Sequence, residues 1–330
     1  ARVFRSSTHR GPFGRGGFGP RAPAALWIPS LIVATTIALP LVYLVVRAVG
    51  AGEDAWAIIL RARTAKTMLQ TLVLIVAVTA GSIAIAVPVA WLTVRSDLAG
   101  RRLWSAVVAL PLVIPSFVFG LVVQVALGPR GMAQQVLESL FGITEIPSIY
   151  GFPGAALTLV LLSYPYVLLP AQSSLGRHDP LLEDASRSLG RGRVATLYRV
   201  TLPMLGPAIG AGALLVALYT LTDFGAVSLL RYETFTTAIF VQFESAFNRS
   251  MTAVLSIVLV AFAAVLLVGE AFTRHRSRYH GVGPGAVPES PRVPLGRLAI
   301  PAILFMTTLV GISLVIPIGV LAYWAGRGLA

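Results

Sequence analysis

Seven separate runs of 21 to 27 mostly apolar residues leave this chain few folds to choose from. They are Leu26–Val46, Met68–Val94, Leu103–Leu127, Gly154–Leu175, Met204–Leu230, Met251–Phe272 and Leu298–Ala322. A helix needs roughly 17–25 such residues to cross the hydrocarbon of a bilayer. The composition agrees: 56% of residues are hydrophobic and 12% charged, where a soluble domain has about 25% charged. Lipid is therefore the solvent for much of the surface. The fold class read from these runs is an all-α, polytopic helical membrane bundle. Pro40, Pro88, Pro111, Pro115, Pro165 and Pro207 lie inside the runs. They are tolerated where neighbouring helices or water satisfy the freed carbonyls.

The net charge of +13 points to topology rather than to nucleic acid, because the arginines fall between the apolar runs. With the N-terminus placed inside, 18 of the 26 basic residues lie in inside segments, which obeys the positive-inside rule. Segments Gly50–Thr67 and Pro129–Phe152 then lie outside and have room for short interfacial helices. Tyr150 and Phe152 in Ile146–Pro153 read as an aromatic interface anchor.

The sequence offers no chemistry of its own. It has no cysteine, so disulfides and thiolate sites are excluded. Lys66 follows alanine rather than the glycine of a phosphate-binding loop. His9, His178, His275 and His280 all fall in inside segments, without the spacing of a zinc helix. No catalytic set and no metal-ligand set is expected. The glycine pattern from Gly14 to Gly19 has no strand before it and no helix after it, so it reads as a basic tail.

The inside loop between the fourth and fifth runs is the informative stretch. Asp179 is placed to cap a helix beginning at Pro180. Glu183 and Asp184 lie near its positive end and Arg187 near its negative end, and Gly190 supplies a left-handed stop. A second helix starts near Arg193, with Val194, Leu197, Tyr198 and Thr201 on one face, and Leu202-Pro203 is expected to end it. Two short helices at a glycine elbow make a docking element; an arginine-bearing solvated loop is the other reading of the same residues.

This stretch resembles the EAA loop of bacterial ABC importer permeases. Asp184-Ala185-Ser186 stands where that pattern has E-A-A, Gly190 at its glycine, Val200 at its isoleucine, and Leu202-Pro203 at its end, with spacing kept throughout. Segments 126–131 and 222–240 look most like ferric-iron permeases, while permeases for thiamine, polyamines, sulfate or aminoethylphosphonate share the architecture. The resemblance implies a type I ABC importer permease without enzymatic activity. It further implies separate cytoplasmic ATPase subunits that hold ATP and Mg and engage Glu183, Asp184, Ala185, Ser186, Gly190, Val200, Leu202 and Pro203. An external solute-binding protein and a second permease half, fused or as a dimer partner, complete the assembly. The location implied is the bacterial inner membrane, with the N-terminus cytoplasmic. An ion-coupled secondary transporter is the alternative of another class; it needs intramembrane carboxylates or broken helices.

Asp223, with Phe224 and Gly225, is the candidate pathway or gate. A carboxylate costs about 2.5–3.5 kcal/mol at mid-bilayer on insertion scales, so it must face protein or water. The alternative role is a helix-breaking turn in which the carboxylate bonds Gly225.

The last run repeats the first. Leu26, Ile28-Pro29 and Thr35-Thr36 match Leu298, Ile300-Pro301 and Thr307-Thr308 at a constant offset of 272. The expected organisation is a basic tail (1–25), a six-span permease domain (26–272) with its loop at 179–203, a linker (273–297), and a seventh span (298–322) that opens a second half. On that reading the chain continues with further spans and a second loop.

Overall fold

The computed structural model describes residues 24–52, 57–129, 131–143, 147–177, 185–186, 188–190, 192–245, 249–276 and 292–329. Among these the chain is helical, with one isolated bridge between Ser96 and Val293 in place of any sheet. Seven helical stretches are long and apolar enough to cross a membrane. In order, α1 (Ala24–Val49) and α2 (Ala62–Val94) precede a third crossing built from α3 (Arg101–Val107), a 3-10 turn (Leu110–Val113) and α4 (Ser116–Leu127). The short α5 (Met132–Phe141) follows, then α6 (Phe152–Arg177). Next, α7 (Arg193–Thr196) leads into α8 (Leu202–Thr222), with α9 (Gly225–Leu229) and α10 (Phe235–Ser245) before α11 (Arg249–Arg276). Finally, α12 (Ala299–Val310) and α13 (Ile316–Leu329) make the last crossing.

The core lies where α2, α6 and α8 pack together. Leu74, Val78, Leu159, Leu162, Leu168 and Val216, all buried, belong to one hydrophobic cluster there. Lipid is as apolar as leucine, so close packing and polar contacts between helices must hold the bundle. Ser82 and Ser163 share a hydrogen bond of 3.1 Å between α2 and α6. A second buried cluster sets Ile75, Ala217 and Leu221 against Phe262 and Leu266 of α11.

Two crossings that the sequence presents as continuous runs are broken. The third is interrupted between Val107 and Ser116, where Pro111 and Pro115 remove two backbone donors. The freed carbonyl of Val108 is taken by the Tyr164 hydroxyl, which donates to it at 2.6 Å. The fifth stops at Thr222, because Asp223 is extended (φ −64°, ψ 131°). Conversely, Leu202-Pro203 does not end the elbow's second helix. A π turn at Leu197–Thr201 carries it straight into α8, and another at Gly311–Val315 joins α12 to α13 ahead of Pro317. In each the wider turn accommodates a proline that lacks an N–H and crowds the carbonyl four residues back.

Tyr164 is fully buried, so its phenol is the natural place to test the first break. Tyr164→Phe leaves the Val108 carbonyl without this donor and should destabilise the bundle by about 1–2 kcal/mol, read as an earlier unfolding midpoint in detergent. A wild-type midpoint would show the break to be held by packing alone.

The loops sort onto two faces. The Val293 amide donates to the Arg95 carbonyl (2.8 Å), and the Leu295 amide to the Asp97 carboxylate (2.9 Å). These bonds put the end of α2 beside the start of α12. On the other face the Gly151 amide donates to the Leu230 carbonyl (2.7 Å), and the Arg231 guanidinium lies 4.6 Å from the Tyr150 ring centre. Phe152 meets Tyr232 edge to face. The Tyr232 hydroxyl donates to the Gln70 carbonyl, and burial pushes its phenol above its ordinary range. Tyr150 and Phe152, expected as interface anchors, also make these contacts within the chain.

The first and last crossings differ in setting despite their matching sequences. α1 packs on α11 through Ala48, Ala253 and Val254, and leaves Trp27, Ile28 and Leu31 exposed. α12 instead places Ala302, Met306 and Leu309 in the main core.

Candidate functional site

The loop expected to dock a partner is described from Ala185 onward in part; Asp179, Pro180, Glu183, Asp184, Arg187 and Arg191 lie outside the described residues. Ala185 and Ser186 are helical, and the Leu189 amide closes on the Ala185 carbonyl at 3.2 Å. Gly190 then turns left-handed (φ +80°), with no atom within 4 Å of where a Cβ would stand. Its glycine is needed for backbone conformation, not for space. Ser186 and Thr196, both buried, share a hydrogen bond of 3.2 Å that ties one arm of the elbow to the other. Alanine in place of Ser186 could not make that bond. Leu189 and Tyr198 are 80% and 65% exposed, so the elbow presents apolar side chains outward. Val200 and Leu202 are half-buried where the second arm enters α8, and Pro203 is exposed.

The second candidate lies at the two broken crossings. Asp223 Oδ1 accepts from the Ala226 amide at 3.0 Å and from the Val227 amide at 3.4 Å, not from Gly225 as the sequence suggests. Gly225 has another reason to be glycine. A Cβ there would lie 2.8 Å from both the Phe117 amide nitrogen and the Ser116 hydroxyl, so the start of α9 sits directly against the start of α4. Thr236 donates to the Asp223 carbonyl (2.7 Å), and Phe224 packs on Phe240 with ring centres 4.8 Å apart. Asp223 is 7% exposed and bonded on several sides.

Three residues absent from the sequence-level site belong beside it. The Ser116 hydroxyl lies 2.8 Å from where a Gly225 Cβ would stand, beside the Asp223 turn, and Tyr219 sits one helical turn before Asp223, its carbonyl accepting from the Asp223 amide at 2.9 Å. The Tyr219 ring stands 5.5 Å from that of Tyr166. These three line a cavity of about 350 Å³ at the break of the third crossing. Two tyrosines and a serine in otherwise aliphatic runs were the available signal. Among the described residues no group of three or more His, Asp or Glu side chains could hold a metal.

No family model matches the sequence. The molybdenum transport system permease ModB of Escherichia coli K12 is 34% identical over 192 residues, which are 56% of this chain and 82% of that protein. The chain belongs to the ABC transporter permease family. The Fe(3+)-transport system permease FbpB 2 of Haemophilus influenzae is 33% identical to this permease over 310 residues. That match takes in 92% of this chain and 57% of the relative, so the chain spans little more than half of the ferric protein. A bacterial alginate ABC transporter, solved with a pentasaccharide-bound periplasmic protein, shares the permease fold at a TM-score of 0.62 and 17% identity. The likeness covers 77% of this chain and 93% of that one. The permease is thus a multi-pass membrane protein whose relatives are transport subunits rather than enzymes. With the family shown, an ion-coupled secondary transporter no longer competes.

Proposed function

We propose that this permease is the membrane-spanning part of an importer for ferric iron. A solute-binding protein loads it from outside, and a separate ATPase, which holds the ATP and Mg, drives it from the cytoplasm. The substrate is supported by the 33% identity to the ferric permease along 92% of the chain. The docking role is supported by the elbow, whose two arms are fastened at Ser186 and Thr196 while Leu189 and Tyr198 face outward. On this reading the elbow fits a groove on the ATPase, and Glu183 and Asp184 are among the residues that the ATPase engages. The π turn continues the elbow's second arm into α8, and a push on the elbow is carried through it to the fifth crossing.

The arrangement requires the elbow to be cytoplasmic. Reporter fusions after residue 190 should read cytoplasm, and fusions near residue 140 the outside; the reverse pattern defeats the docking role. Substrate is decided by uptake. Iron-dependent accumulation with its cognate binding protein supports the proposal, and accumulation of molybdate or sulfate instead replaces iron with an oxyanion.

A further inference from the structure

We propose that Ser116, Tyr166, Tyr219 and Asp223 form an oxygen-donor site that receives a hard trivalent cation in transit and discriminates against oxyanions. The inference rests on the reading of this chain as a cation permease and assigns the residues that make it one. The cavity of about 350 Å³ is bounded by the Pro111–Ser116 break, by Tyr166 of α6 and by Tyr219 of α8, and Val113 on its rim is 77% exposed. The polar side chains among its lining residues all carry oxygen: two phenols and a hydroxyl, with Asp223 one helical turn beyond Tyr219. Among the described residues no arginine, lysine or histidine lines it.

That donor set has a chemical sense. Hard, highly charged cations take oxygen ligands, and tyrosine oxygen is an established partner for iron. Oxyanions are held by guanidinium groups and by backbone amides at helix starts. Here the amides of Ala226 and Val227 are already taken by Asp223, whose charge opposes a second anion. A tetrahedral oxyanion meets hydroxyls backed by a negative charge, whereas a cation meets donors of the right kind and sign. One carboxylate and three hydroxyls leave much of a trivalent ion's shell to water. That suits a pathway, where binding must be firm enough to admit the ion and weak enough to release it.

The variants separate charge from architecture. In Asp223→Asn the side-chain oxygen can still accept from Ala226 and Val227, so the turn is kept and the charge is lost. Tyr166→Phe/Tyr219→Phe keeps both rings and removes the phenols. The full-length protein, with its ATPase and binding protein, is assayed for uptake of radiolabelled ferric iron and of molybdate. Wild type should take up iron only. Asp223→Asn should lower iron uptake on the order of tenfold, and the double phenylalanine variant severalfold, with ATPase copurification unchanged. Iron uptake by wild type and equally by both variants overturns the site and leaves the iron permease standing. Molybdate uptake by wild type overturns both. Should Asp223→Asn fail to assemble, ferric nitrilotriacetate added to the solubilised wild-type protein and to the double phenylalanine variant decides. A visible iron–phenolate absorption band that Tyr166→Phe/Tyr219→Phe removes supports the site, and no band, or a band that survives in the variant, overturns it.

Discussion

A Gly190→Val permease is expected to reach the membrane at wild-type levels, keep its bundle intact, and transport nothing. Gly190 sits at φ +80° with open space on every side, so the substitution meets no steric wall. What valine lacks is the backbone conformation: a left-handed residue costs roughly 1–2 kcal/mol without glycine, and a β-branched one more. The elbow is exposed, and the strain can be relieved by swinging its first arm away from Thr196 without touching the core. The bundle therefore survives while the docking geometry does not. Asparagine, which tolerates the left-handed region, should restore most of the transport. Alanine should fall between, since it pays the conformational cost without branching. Uptake in the order Gly, Asn, Ala, Val, at equal membrane abundance, is the result that supports the coupling role. Wild-type uptake by the valine variant removes it.

How much of this was legible beforehand depends on whether the controlling contact is local. Gly190 was readable because a helix signal runs straight into it, and the turn is decided within a few residues. The seven crossings were readable because length and apolarity are summed over whole windows. The break at Val107–Ser116 was not, since proline in an apolar run fits a kink as well as an interruption; the turn at Asp223 was one of two open readings, with Ala226 and Val227 rather than Gly225 as the bonded residues. The third crossing is held open by Tyr164, 56 residues from the carbonyl it satisfies. Likewise Leu202-Pro203 is a fair local stop signal, overridden by a π turn that no period in the sequence announces. Ser186 stands where the family pattern has alanine, and only the placement of Thr196 opposite it gives its hydroxyl a role. The cavity was least legible of all, because Ser116, Tyr166 and Tyr219 come from three different crossings.

Adding one methyl group at Gly212 should collapse the yield of folded protein, and no second-site change at Val167 should recover it. A Cβ at Gly212 would stand 2.5 Å from the Val167 Cα and 2.7 Å from the Tyr166 carbonyl oxygen, which are backbone atoms of α6. Neither can turn away, so α6 and α8 must separate, and the tyrosine pair at the cavity separates with them. Overpacking a fitted contact costs typically about 1–3 kcal/mol and occasionally more; a clash with backbone belongs at the high end. Gly81 provides the contrast. Its Cβ would meet the two methyls of Val160, at 2.7 and 3.3 Å, so the obstacle is a side chain. Gly81→Ala should therefore be rescued by Val160→Ala, while Gly212→Ala should not be rescued by Val167→Ala, because shortening that side chain leaves its Cα in place. Folded yield after detergent extraction, compared across the two pairs, reads the difference directly. Equal rescue in both would mean that α6 and α8 are not in backbone contact, and the cavity between Tyr166 and Tyr219 would lose its wall.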